Sequence, residues 1–94
     1  MLRGLHADRL FLGVDSLDPE IGLMTPDVLE AQLNALMIEV SQEVVAVADA
    51  SKFHRRSLSV IAGVEKIHKL ITDNAANPDV VAALRARGVE VILV

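Results

Sequence analysis

Three of the apolar runs in this sequence close on an aspartate. Leu10-Phe11-Leu12 leads to Asp15, Val44-Val45-Ala46-Val47-Ala48 to Asp49, and Leu70-Ile71-Thr72 to Asp73. In an open parallel sheet, ligands bind outside the carboxyl ends of the strands, so carboxylates at these positions can accept hydrogen bonds from ligand hydroxyls. The same residues also turn the chain by capping nearby amides. For Asp73, followed by Asn74, the turn is the stronger reading. Glu30 falls in a helical pattern, one residue off a leucine and in line with Asn34 and Met37. There it is either a solvated helix glutamate or a base and hydroxyl acceptor beside the buried face. After Asp49 the chain turns basic at once, with Lys52, Arg55 and Arg56 within five residues. Such a cluster can grip a phosphate by charge and bidentate hydrogen bonds, or simply be a solvated loop. Lys52 lies closest to the strand end and is the candidate inward cation. His6, His54 and His68 show no metal-ligand spacing, so no metal site is expected.

Asp15, Glu30 and Lys52 need elements to position them. The continuous run Val44–Ala48 reads as a strand buried on both faces of a parallel sheet. Further strands are expected at Leu10–Leu12, Leu70–Thr72 and Val89–Val94. A first helix is predicted from Thr25 as N-cap, with Pro26 in the first helical position, to about Ser41. Leu29, Leu33, Leu36 and Val40, spaced by four, three and four, form the stripe expected to lie on the sheet. The eight residues from Ser16 to Leu23 read as a loop. A second helix opens at Asn77-Pro78 and stops at Gly88, just after Arg85 and Arg87. The stretch from Ser57 to Ile67 allows a short strand at Leu58 to Ile61 and one helical turn at Val64 to Ile67. This order predicts an α/β fold built on an open, mostly parallel sheet with flanking helices.

Composition limits the function classes. Ninety-four residues make one small domain, with 52 % hydrophobic residues, two aromatics and no cysteine. A chain of this size buries only about 60–65 % of its unfolded surface. With a mean hydropathy of +0.43, the apolar excess points to surface meant for a partner, or for chain that is missing. Net charge is −4, which offers no overall basic footprint for nucleic acid. No apolar run approaches the length of a membrane span, and the first residues lack the pattern of a signal peptide. A cytoplasmic location is the expectation.

The motifs also resemble a known family. Leu12-Gly13-Val14-Asp15, Gly22-Leu23-Met24-Thr25-Pro26, Glu30-Ala31 with Asn34 and Met37, and Val47-Ala48-Asp49-Ala50-Ser51-Lys52-Phe53 occur in an order and spacing similar to the effector-binding domain of DeoR-type sugar-metabolism repressors. The likeness runs from about Ala7 to Val94, and within the family it looks most like the repressors of N-acetylgalactosamine and galactosamine operons. The resemblance implies a partial ribose-5-phosphate-isomerase-like (Rossmann-like) sensor domain for a phosphorylated sugar or amino sugar. Asp15, Glu30 and Lys52 would be its effector-binding residues, with no cofactor. It also implies that residues 1–94 are the C-terminal part of a sensor. The first part of that sensor and a winged helix-turn-helix, through which alone DNA would be bound, lie outside this sequence. A homo-oligomer is expected, because a partial sheet leaves apolar faces and an edge unpaired.

A more distant likeness is to type A ribose-5-phosphate isomerases, where Glu30 would match the catalytic base and Lys52 an active-site lysine. Those enzymes place a lysine and a glycine run before the catalytic helix; this chain has Gly22-Leu23-Met24-Thr25-Pro26 instead. Without that cradle an enediolate loses its stabilisation, so no enzyme activity and no catalytic residue are expected. The alternatives to a sensor are such an isomerase and a bare oligomerisation module.

Overall fold

A computed structural model of the chain describes residues 7–53 and 57–94. Among them the elements run β1 (Ala7–Gly13), β2 (Ser16–Asp18), β3 (Gly22–Thr25), α1 (Val28–Glu39), β4 (Ser41–Val47), β5 (Ser59–Ala62), β6 (Lys69–Thr72), α2 (Pro78–Ala86) and β7 (Glu90–Leu93). Short 3-10 turns occupy Ala50–Lys52 and Val64–Lys66. The principal sheet is parallel throughout, in the order β1-β4-β6-β7. The four apolar runs thus became the four parallel strands, and the α/β class is as expected. A second, antiparallel sheet has the order β2-β3-β5.

One face of the parallel sheet carries the core. Leu12, Val44, Ala46, Leu70 and Val91 point into a single apolar cluster with Ala31 and Ile38 of α1, Val80, Val81 and Leu84 of α2, and Leu17, Leu23 and Ile61 of the second sheet. Strand order explains this one-sidedness. The sheet is laid down in sequence order, and right-handed crossovers that all step in one direction put their helices on the same side. The opposite face, through Phe11, Val45, Val47, Ile71 and Ile92, contributes nothing to that cluster. Phe11 is 64 % exposed and Val47 43 %. The expectation that Val44–Ala48 is buried on both faces therefore fails at Val47, although its neighbours are buried.

Toward the amino ends of the strands this open face is charged. Glu43 accepts a hydrogen bond from Arg9, and Lys69 Nζ lies 3.4 Å from its other oxygen. The Arg9 hydrogen bond, with help from Lys69, holds the Glu43 carboxyl below its usual range against a smaller opposing effect of burial.

The second helix forms as its punctuation predicts. Asn77 caps it by accepting from Asp79 N at 2.8 Å, Pro78 opens it, and Gly88 leaves it at φ +91°. The short strand and turn allowed between Ser57 and Ile67 are present as β5 and the 3-10 turn Val64–Lys66.

The first helix departs from expectation in three ways. Its N-cap is Asp27, whose side chain accepts from Leu29 N and Glu30 N, and it ends at Glu39. Thr25 instead finishes β3, paired with Ser59. Both Thr25 and Asp27 have capping side chains, and sheet pairing decides between them. Second, the leucine stripe faces outward: Leu29, Leu33 and Leu36 are exposed, while Ala31, Asn34 and Ile38 are buried. Alanine lets the helix lie close to the sheet, and the larger leucines are left outside. Third, the expected loop from Ser16 to Leu23 is largely a hairpin of β2 and β3. Its turn uses Gly22 at φ +121°, where an added Cβ would sit 2.2 Å from the Ala62 carbonyl oxygen.

Candidate functional site

The carboxyl ends of β1, β4 and β6 lie side by side, and the chain leaving each carries one of the expected residues. Asp15 follows β1 and is exposed. Its Oδ2 accepts a hydrogen bond from Thr25 Oγ1 at 3.1 Å, and Thr25 itself is buried. This ties the end of β1 to the end of β3, two residues before the cap of α1. Lys52 closes the 3-10 turn after β4, half-buried, with its N–H donating to the Asp49 carbonyl at 3.0 Å. A bridge between Leu17 and Phe53 joins the segments that leave Asp15 and Lys52, so both residues sit on one edge. Nearby, Ser16 Oγ donates to Ser57 Oγ at 3.0 Å.

Glu30 takes the solvated of its two expected settings. It lies in the first turn of α1, exposed, while Asn34 one turn later is buried against the sheet side. Among the described residues no hydrogen bond or ion pair joins Asp15, Glu30 and Lys52 to one another. The structure brings Asp15 and Lys52 to a common edge and sets Glu30 on the helix that follows Thr25. Arg55 and Arg56, the other cations of the basic cluster, lie outside the described residues.

The remaining strand-end aspartates shape the edge. Asp49 accepts from the amide and hydroxyl of Ser51. Asp73 accepts from Ala75 N at 3.0 Å and reaches across to Ala50 N at 3.2 Å, holding the turn that carries Lys52. His68 is also structural, its Nδ1 accepting from Val44 N at 3.0 Å. Beside these lies a concavity of about 170 Å³ lined by Val47, Ala48, Asp49, Ile71, Thr72, Asp73 and Val94. That is well below the ~300–1,000 Å³ of a small-molecule pocket. Thr72 Oγ1, within its lining, is a buried hydroxyl with no hydrogen-bond partner among the described residues.

Sequence reasoning missed Thr25, Ser16 and Thr72 as polar groups at this edge. Hydroxyls buried at strand ends leave no periodic mark; only the proximity of Ser16 to Asp15 along the chain was available as a signal.

A small parallel sheet whose carboxyl edge gathers carboxylates, hydroxyls and a lysine has the form of a ligand-sensing domain. The chain belongs to the DeoR family: the model of the DeoR C-terminal sensor domain matches residues 1–74. It is 45 % identical over 93 residues to a putative aga operon transcriptional repressor of Escherichia coli O157:H7, covering 99 % of this chain and 35 % of that protein. It is 44 % identical over 85 residues to the HTH-type transcriptional regulator GlpR of Haloferax volcanii, covering 90 % of this chain and 33 % of the relative. A third relative, the transcriptional repressor AccR of Agrobacterium fabrum, is 40 % identical over 74 residues, 78 % of this chain and 29 % of its own length. The chain thus spans about a third of the length of these curated relatives. All three relatives are named as regulators or repressors of transcription. No helix among the described residues is long and apolar enough to cross a membrane.

Proposed function

We propose that this chain is the C-terminal part of the effector-binding domain of a repressor of sugar or amino-sugar catabolism, and that its effector is a phosphorylated sugar. The observation that carries the reading is the shared edge of Asp15 and Lys52 in a chain of the DeoR sensor family. Lys52 supplies a cation for phosphate or sugar oxygens, and Asp15, braced by Thr25, accepts from sugar hydroxyls. Glu30, exposed at the start of α1, reaches the ligand only from the side. Neither Asp15 nor Lys52 lines the 170 Å³ concavity, and in this reading polypeptide outside these 94 residues completes the site and carries the operator-binding domain. Effector binding then shifts a conformational equilibrium which that domain reads. Isomerase chemistry is not favoured, since an exposed Glu30 lacks the enclosed setting of a general base.

Thermal denaturation with hexose 6-phosphates, hexosamine 6-phosphates, the same sugars unphosphorylated and inorganic phosphate tests this reading. A ligand at one hundred times its Kd adds about 2.7 kcal/mol, or roughly ten degrees or more in a domain of this size. Stabilisation is expected from a phosphorylated sugar alone, and is expected to be lost in Lys52→Ala. Equal stabilisation of both proteins would remove Lys52 from the site. No response to any phosphorylated sugar would favour a module that only oligomerises.

A further inference from the structure

We propose that the Thr72 hydroxyl is a specificity-determining contact for the effector, reading a sugar hydroxyl at the end away from the phosphate. The inference rests on the reading of this chain as a sensor of a phosphorylated sugar, and adds a second subsite to it.

The concavity of about 170 Å³ lies at the carboxyl ends of β4 and β6. Its lining is apolar at Val47, Ala48 and Ile71 and polar at Asp49, Thr72 and Asp73. Thr72 is only 3 % exposed, and its Oγ1 has no hydrogen-bond partner among the described residues. A buried hydroxyl without a partner costs stability. Valine has nearly the same shape and is equally at home in a strand, so the fold itself gives no reason for a hydroxyl here. A ligand that completes its hydrogen bond does.

Charge and size decide what enters. Carboxylates beside the hydroxyl repel a phosphate and accept from O–H donors, so the phosphate stays with Lys52. A sugar hydroxyl meets both demands: it donates to a carboxylate and accepts from Thr72, while the C–H face of the sugar packs on the apolar lining. The volume takes part of a sugar ring and no more. Asp49 and Lys52 stand at the two ends of one 3-10 turn, as its cap and its last residue, roughly 6 Å apart along the axis. The ring hydroxyls and the phosphate of a hexose phosphate are separated by a comparable span, so one ligand reaches both subsites. Asp73 keeps the subsites in step, because its Oδ2 accepts from Ala50 N in the turn that carries Lys52.

Isothermal titration calorimetry tests this with hexose 6-phosphates and the same compounds each lacking one hydroxyl, on the full chain and on Thr72→Val and Thr72→Ser. Thr72→Val is expected to weaken binding of a hexose 6-phosphate roughly tenfold, the worth of one neutral hydrogen bond. Thr72→Ser, which keeps the hydroxyl, should restore most of it. For one deoxy compound the unsubstituted chain and Thr72→Val are expected to bind alike, since the group Thr72 would meet is already gone. Without ligand, Thr72→Val should melt at or above the temperature of the unsubstituted chain, because it removes a buried hydroxyl the fold does not use. A loss of several degrees in that Tm, or equal affinity of the two proteins for every compound, would overturn this proposal and leave the sensor reading in place. So would an affinity loss that no missing hydroxyl abolishes. Failure of the unsubstituted chain to bind any hexose 6-phosphate would remove both.

Discussion

At the scale of single residues, the edge is held by side chains that act on the backbone more than by those facing a ligand. Asp73 illustrates this: it ends β6 yet fixes the turn after β4 through Ala50 N, so it positions Lys52 without touching it. Gly22 plays the corresponding part in the hairpin. Its φ of +121° is one that side chains rarely adopt, and the Ala62 carbonyl fills the space where a Cβ would stand. Gly22→Ala is expected to destabilise the fold by roughly 2–4 kcal/mol, through backbone strain and overpacking together. Since about 1 kcal/mol moves the Tm of a small domain by 4–8 °C, calorimetry should show a loss of ten degrees or more. Gly88 is the contrast, because a Cβ there meets nothing within 4 Å and only the strain of its positive φ remains. A Gly22→Ala protein melting within two degrees of the unsubstituted chain would show that the hairpin turn tolerates a side chain.

Elements were legible in proportion to the punctuation around them. Asn77-Pro78 and Gly88 bound α2 unambiguously, and the parallel strands are apolar runs too short to be helices. The hairpin was not legible, because strands of three and four residues carry too little alternation to stand out beside Asp18-Pro19 and Gly22. The start of α1 was hidden by two capping residues either side of Pro26. Its orientation was hidden by composition: α1 has apolar residues on nearly every side, so the larger leucines suggested a buried stripe that packing assigned to Ala31, Asn34 and Ile38. Of the site, Asp15 and Lys52 could be found from strand ends, whereas the exposure of Glu30 followed from a helix register the sequence does not reveal. The rotation of α1 is open to measurement. Ala31→Leu places three extra heavy atoms at a buried position and is expected to cost about 1–3 kcal/mol. Leu33→Gln, on the outer side, should stay within about 0.5 kcal/mol. Urea denaturation of both variants decides the matter, and the reverse ranking would mean that the leucine stripe is the buried one.

For the molecule as a whole, the governing feature is a parallel sheet whose described helices and second sheet all pack on one side. Every crossover steps the same way, so the described helices, second sheet and core accumulate on one face, and the other carries Phe11 and Val47 exposed beside the Arg9–Glu43–Lys69 ion pairs. Protection should follow this layering. β4 and β6 are each flanked by strands on both sides, and Val44, Ala46 and Leu70 pack into the core with almost no exposure. β1 and β7 are edge strands among the described residues, paired on one side only. Sub-global opening begins where contacts are fewest and reaches the full unfolding free energy only in the central elements. Amide hydrogen exchange at low protein concentration is therefore expected to be slowest at Val45, Ala46, Leu70 and Ile71, and faster by at least tenfold in β1 and in the three-residue β2. Equal exchange across all four strands at low concentration would mean that the parallel sheet opens as one unit, with its edges no weaker than its centre.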